Sequence, residues 1–195
     1  MKILAGVITV ILCCGAMFAK PRGPLIKRSQ CGNGLQELKT WSDKQRFKVN
    51  AENRVTTTGI VNVLPAPGQQ PRSRKTNWQK RVWLVKAQIV EYRIDHGELR
   101  MVLYLDDRYL NAVIPSPACL RSKTRQRSRI EAVWNLFIAR CGIPSPVEWK
   151  PLGAVVYISG VGFWSNKHLH RRGQAKNGAE LHPVNSISLI AGCGT

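Results

Sequence analysis

His168, His170, Asn177, Glu180 and His182 are the residues of this sequence best suited by type and spacing to do chemistry. His168 and His170 are two apart, as are Glu180 and His182, so on extended chain the members of each pair face the same side. Imidazoles and a carboxylate so placed suit a divalent metal, with His168, His170 and His182 as the ligands. They equally suit acid–base catalysis by His170, Glu180 and His182. The architectural alternative is that Glu180 accepts from loop amides while Asn177-Gly178 only makes a turn with positive φ.

Basic side chains form the second constellation. Arg72, Arg74, Lys75, Lys80 and Arg81 precede the first long apolar run; Arg121, Lys123, Arg125, Arg127 and Arg129 form another group; Lys167, Arg171, Arg172 and Lys176 form a third. With 30 Lys and Arg against 11 Asp and Glu, the formal net charge is +19. Such an excess repels itself in the compact state and attracts polyanions. The expected partner is therefore a polyanion, either single-stranded nucleic acid or an acidic envelope glycan. The ligand-binding set is Lys80, Arg81, Lys167, His170, Arg171, Arg172, Lys176 and Asn177, with Trp164 to stack bases. No cofactor is expected, because no nucleotide-binding or nucleophile-elbow motif is present.

The elements that must position these residues begin near Trp78. Val82–Asp95 and Glu98–Leu105 are rich in β-branched and aromatic residues and alternate, which predicts a hairpin turning at His96-Gly97. Leu110–Ile114 predicts a third strand. Ile130, Val133, Trp134, Phe137, Ile138 and Cys141 recur at helical period, with Ser128 and Glu131 spaced as a capping box and Gly142 as the stop. Gly153–Trp164 and Glu180–Ala191 predict two more strands, with Pro183 implying an edge or a bulge. Among Trp78, Trp83, Tyr92, Tyr104 and Trp164, at least three are expected in the core. The fold class is thus mainly β with one principal helix. The order β-β-β-α-β-β fits a five-stranded barrel of OB type, with a two-layer α+β sandwich as the alternative.

The start of the chain reads differently. Met1-Lys2 is followed by the apolar run Ile3–Phe18 and then by Ala19, the order of a secretory signal over residues 1–19. An uncleaved anchor is the rival reading. Residues 20–77 are expected to be a partly disordered extension packed on a domain at 78–195, with no transmembrane segment after signal removal. Location is then periplasmic or extracellular. Four cysteines remain, Cys31, Cys119, Cys141 and Cys193, and an even number in an oxidising compartment predicts two disulfides. Cys119 with Cys141 is the favoured pair, because they bracket one helix, which leaves Cys31 for Cys193. No CxxC or CxxH spacing supports zinc.

Three stretches carry a resemblance: VWLVKAQIVEYRIDHGELRMVLYL leading to IPSPAC, the helix end FIARCG, and GVGFW followed by HLHRRGQAKNGAELHPV. From about Val82 to Val184 the chain resembles a family of exported bacterial proteins sharing a C-terminal GVGF…NGxELHPV segment. The resemblance implies an exported, OB-like domain and brings no activity. The loop here is longer and more basic than the family pattern, and Cys193 is additional. An exported nuclease of thermonuclease type is a further comparison, since its strand also ends in an acidic turn. Here that turn is Ile94-Asp95-His96-Gly97-Glu98, with Asp106-Asp107 after the next strand, but NAVIPSPAC lacks the Arg and Glu such enzymes carry. The function expected is non-catalytic polyanion binding. The alternatives are a metal-dependent phosphodiesterase or an envelope protein-interaction module.

Overall fold

The computed structural model describes residues 24–32, 34–44, 54–166 and 171–194. The expected signal, Lys167, His168 and His170 lie outside the described residues. The architecture is mainly β. Its elements are α1 (Gln36–Lys39), β1 (Arg54–Thr56), α2 (Thr58–Asn62), β2 (Val82–Asp95), β3 (Glu98–Leu105), β4 (Arg108–Pro115), α3 (Arg127–Cys141), β5 (Lys150–Trp164) and β6 (Ala179–Ala191). The expected hairpin of β2 and β3 is present with its turn at His96-Gly97, where both residues have positive φ.

One six-stranded sheet runs in the order β1-β2-β3-β4-β6-β5, and β2 also pairs with β5. The pairings of β2, β3, β4, β6 and β5 therefore close into a circuit. All are antiparallel except β4 with β6, which are parallel through Asn111 and Ala112. Pro183 sits where the β5–β6 register shifts: Gly160 opposes Val184 and Gly162 opposes Leu181, so two residues of β6 face one of β5. That is the expected bulge, the place a strand tolerates a residue without an N–H.

Alternation sorts the side chains to two sides of the sheet. Leu99, Met101, Leu103, Leu110, Ala112, Ile114 and Leu181 join one apolar cluster with Val85, Ile89 and Ile158. The helix stripe Ile130, Val133, Trp134, Phe137, Ile138 and Cys141 joins the same cluster. Each large apolar side chain so buried stabilises the fold by about 1.5–3 kcal/mol. Trp78, Tyr92 and Trp164 are buried, as expected of at least three of the five aromatics. The predicted capping box is absent. Gln126 is the N-cap, in a left-handed conformation, and Ser128 lies inside the first turn. The unfavourable cations there are answered locally, because Arg127 Nε contacts Glu131 Oε1 at 2.8 Å and its Nη1 donates to the Leu120 and Arg121 carbonyls.

The disulfides differ from the expected pairing. Cys31 bonds Cys119, and Cys141 bonds Cys193. Bracketing one helix holds Cys119 and Cys141 apart, at its two ends, and each instead meets a terminal segment. Residues 55–64, which alternate only weakly, divide into β1, parallel to β2, and the one-turn α2. Among the described residues no helix is long and apolar enough to cross a membrane.

Candidate functional site

The residues opposite the apolar cluster form the candidate site. On β3 these are Glu98, Arg100 and Val102; on β4, Asn111 and Val113; on β6, Glu180 and His182. Such a face would ordinarily meet solvent and read as polar. Here it is buried, because the segment carrying Gly32, Leu35 and Lys39 lies across it. The β5–β6 loop closes the other flank: a Cβ on Gly173 would fall 2.3 Å from Val102 Cγ1. Arg74, itself buried, ties the covering segment down by donating to the Leu38 carbonyl at 2.8 Å and to Asp43 Oδ1 at 3.2 Å.

Under this cover, Arg100 Nη1 donates to Glu180 Oε2 at 3.2 Å, and Arg100 Nε lies 3.5 Å from Asp95 Oδ2. His182 lies between two glutamates, with Nδ1 3.0 Å from Glu180 Oε1 and Nε2 3.5 Å from Glu98 Oε1. Lys39 Nζ is also 3.5 Å from Glu98 Oε1. Burial alone would raise the Glu180 pKa, but Arg100 and then His182 outweigh it and hold it at about 2. An ionised Glu180 only accepts, so His182 Nδ1 carries the proton. Burial pushes the His182 pKa down against the opposing pull of Glu98 and Glu180. Asp95 is likewise held low: burial works against ionisation, but Arg100, His96 and Arg171 prevail.

A cavity of about 250 Å³ opens onto this cluster, walled by Lys39, Asp95, Glu98, Phe163, Arg171 and Glu180. A larger cavity of about 660 Å³ lies at the covering segment, beside the Cys31–Cys119 bond. Its wall carries Arg28, Lys44, Arg72 and Arg121 against Glu37 and Asp43. Glu37 pairs with Arg121 at 3.2 Å and Asp43 with Arg74.

No family model matches the chain, and no curated protein matches it. Among solved structures, a crystal structure of a "putative aspartyl-tRNA synthetase" from Leishmania major Friedlin aligns with a TM-score of 0.45 and 11% identity. The alignment covers 76% of this chain and 23% of that one, so the chain spans under a quarter of that protein's length.

The sequence-selected residues divide accordingly. Glu180 and His182 are brought together, but both are buried and engaged with Arg100, Glu98 and each other. Asn177 is a clasp: its Nδ2 donates to the carbonyls of Val61 and Leu64, and its Oδ1 accepts from the Ala179 N–H. Trp164 is unavailable for stacking, because it is buried with its indole N–H on Thr76 Oγ1. Arg172 pairs with Glu91 and lies near the Trp149 ring. Arg171 is half-buried at the small cavity, whereas Arg81 and Lys176 are exposed and Lys80 is half-buried. Among the described residues no group of three or more His, Cys, Asp and Glu is arranged to hold a metal ion. Sequence reasoning missed Arg100, Lys39, Arg28 and Lys44, and it grouped Arg72 with the basic run before β2 without placing it in the ligand-binding set. Arg100 carried a usable signal, since it stands on the same strand face as Glu98 in an otherwise apolar strand.

Proposed function

We propose that this protein is an exported, non-catalytic binder of polyanions, with single-stranded nucleic acid as its first ligand, built on an OB-type barrel. The closed circuit β2-β3-β4-β6-β5, with α3 between β4 and β5, supports the barrel reading. Two disulfides support export to an oxidising compartment. In a barrel of this kind the ligand face spans the second and third strands, which here is the face of Glu98, Arg100 and Asn111 covered by the chain itself. The groove for a polymer is then displaced to the far side of that cover.

The observation that carries the reading is the wall of the 660 Å³ cavity. Both its carboxylates have cationic partners, while Arg28, Lys44 and Arg72 have no ion-pair partner among the described residues. Cations left uncompensated in a concave wall, on a chain of net charge +19, concentrate phosphate through counterion release.

The test is anisotropy of a fluorescent single-stranded oligonucleotide with the oxidised protein across a salt series. Affinity should fall linearly on a log–log plot. Each lost phosphate contact removes about 0.7 from the slope, so Arg28→Ala with Arg72→Ala should lower it by about 1.4. Failure to bind at low salt would overturn the reading.

A further inference from the structure

The sheet face beneath the covering segment, beside the small cavity, holds an anomaly of its own. Eleven buried side-chain N and O atoms lack a hydrogen bond among the described residues, and six of them belong to one sheet face: Glu98 Oε1, Arg100 Nε and Nη2, both amide atoms of Asn111, and His182 Nε2. Buried polar groups are normally satisfied, and a cluster of exceptions on one face points to a missing partner. Of the residues that carry these atoms, Glu98 is the one that lines the cavity. Its two neighbours, Lys39 Nζ and His182 Nε2, both stand at 3.5 Å, longer than a good hydrogen bond. His182 cannot donate from Nε2 while its one proton is on Nδ1, so Glu98 Oε1 lacks a close donor.

The formal charges of the surroundings balance. Asp95, Glu98 and Glu180 stand against Lys39, Arg100 and Arg171, with His182 neutral. A ligand of net charge would break that balance at low dielectric, and a zwitterion would not. Arg171 supplies the complementary end: it makes no close ion pair among the described residues, acting on Asp95 only at longer range, and it shares the cavity wall with Glu98. At about 250 Å³ the space is below the roughly 300–1,000 Å³ of sites for drug-sized molecules, which suits a small metabolite.

We propose that this cavity binds a small zwitterion of the α-amino-acid class, with its ammonium on Glu98 Oε1 and its carboxylate on Arg171. This site is separate from the polyanion groove and does not depend on it.

The experiment uses the full oxidised chain and isothermal titration calorimetry with the twenty standard amino acids, with ethanolamine, acetate and glycerol as cation-only, anion-only and neutral probes. At least one amino acid should bind saturably while the three partial probes do not. Glu98→Gln should weaken that binding by about tenfold or more, because a charged acceptor is lost. Arg171→Ala, a change outside the buried cluster, should do the same while the protein still melts cooperatively, and Glu98→Gln should leave oligonucleotide binding unchanged. No binding by any amino acid would mean that the cavity holds water only and would overturn the proposal. Binding indifferent to both substitutions would overturn it equally.

Discussion

Arg100 and Glu180 join β3 to β6 across the intervening β4, with Nη1 to Oε2 at 3.2 Å and both side chains almost wholly buried. Two charges withdrawn from water hold each other, and the fold depends on both being present. Arg100→Met should therefore destabilise the protein by roughly 3–5 kcal/mol, since Glu180 is left buried without its cation. Adding Glu180→Leu should recover part of that loss. Urea denaturation of the single and double variants measures both steps.

Acid should unfold the protein through the same cluster. Glu180 has a folded pKa of about 2, below its unfolded value of about 4.5, so its contribution is complete above 4.5 and lost as pH falls towards 2. His182 is also lowered in the folded state, so the unfolded chain takes up a proton first. Stability then declines as pH drops below about 6.5. A plot of unfolding free energy against pH should be flat above neutrality and fall in two stages below it. His182→Gln should abolish the first stage; a first stage that persists in this variant would assign it elsewhere.

The Cys31–Cys119 bond closes 88 residues of chain and anchors the covering segment to the loop after β4. Cys31→Ser with Cys119→Ser should cost about 2–5 kcal/mol. It should also speed tryptic cleavage at Lys27, Arg28 and Lys39. Cys141→Ser with Cys193→Ser should leave those sites slow. Peptide mapping of timed digests separates the two bonds.

Gly162 admits no side chain. A Cβ there would lie 2.1 Å from the Trp78 carbonyl oxygen, a backbone atom that cannot swing aside. Gly162→Ala should destabilise by more than about 3 kcal/mol, beyond ordinary overpacking, because backbone rather than a rotamer must yield. Equilibrium unfolding of the variant provides the check.

The strands and the long helix were legible because each carries its period in its own residues: β2 and β3 match their expected bounds, and α3 buries the stripe read from the sequence. The site was legible only in part. Glu180 and His182 were singled out together, but their partners Glu98 and Arg100 come from β3 and Lys39 from α1, and pairings between distant residues leave no local periodicity. Trp164 and Asn177 misled for the opposite reason. An indole beside basic residues suggests stacking, and only the fold reveals that Thr76 has already taken its N–H. The disulfide partners were likewise set by tertiary placement, and four cysteines permit three connectivities with nothing in the spacing to choose among them.

The two disulfides are sequential: 31 with 119 closes before residue 141 is reached in the chain, and 141 with 193 follows. For a polypeptide that emerges from its amino end, the order of arrival is therefore the order of correct partnership. When Cys119 appears, the only earlier cysteine of the four is its proper mate, and when Cys193 appears, only Cys141 remains unclaimed. A nested arrangement would have left Cys31 waiting for the last three residues while wrong partners passed by. In the connectivity found here each correct partner is also the nearest unclaimed cysteine of the four in chain order.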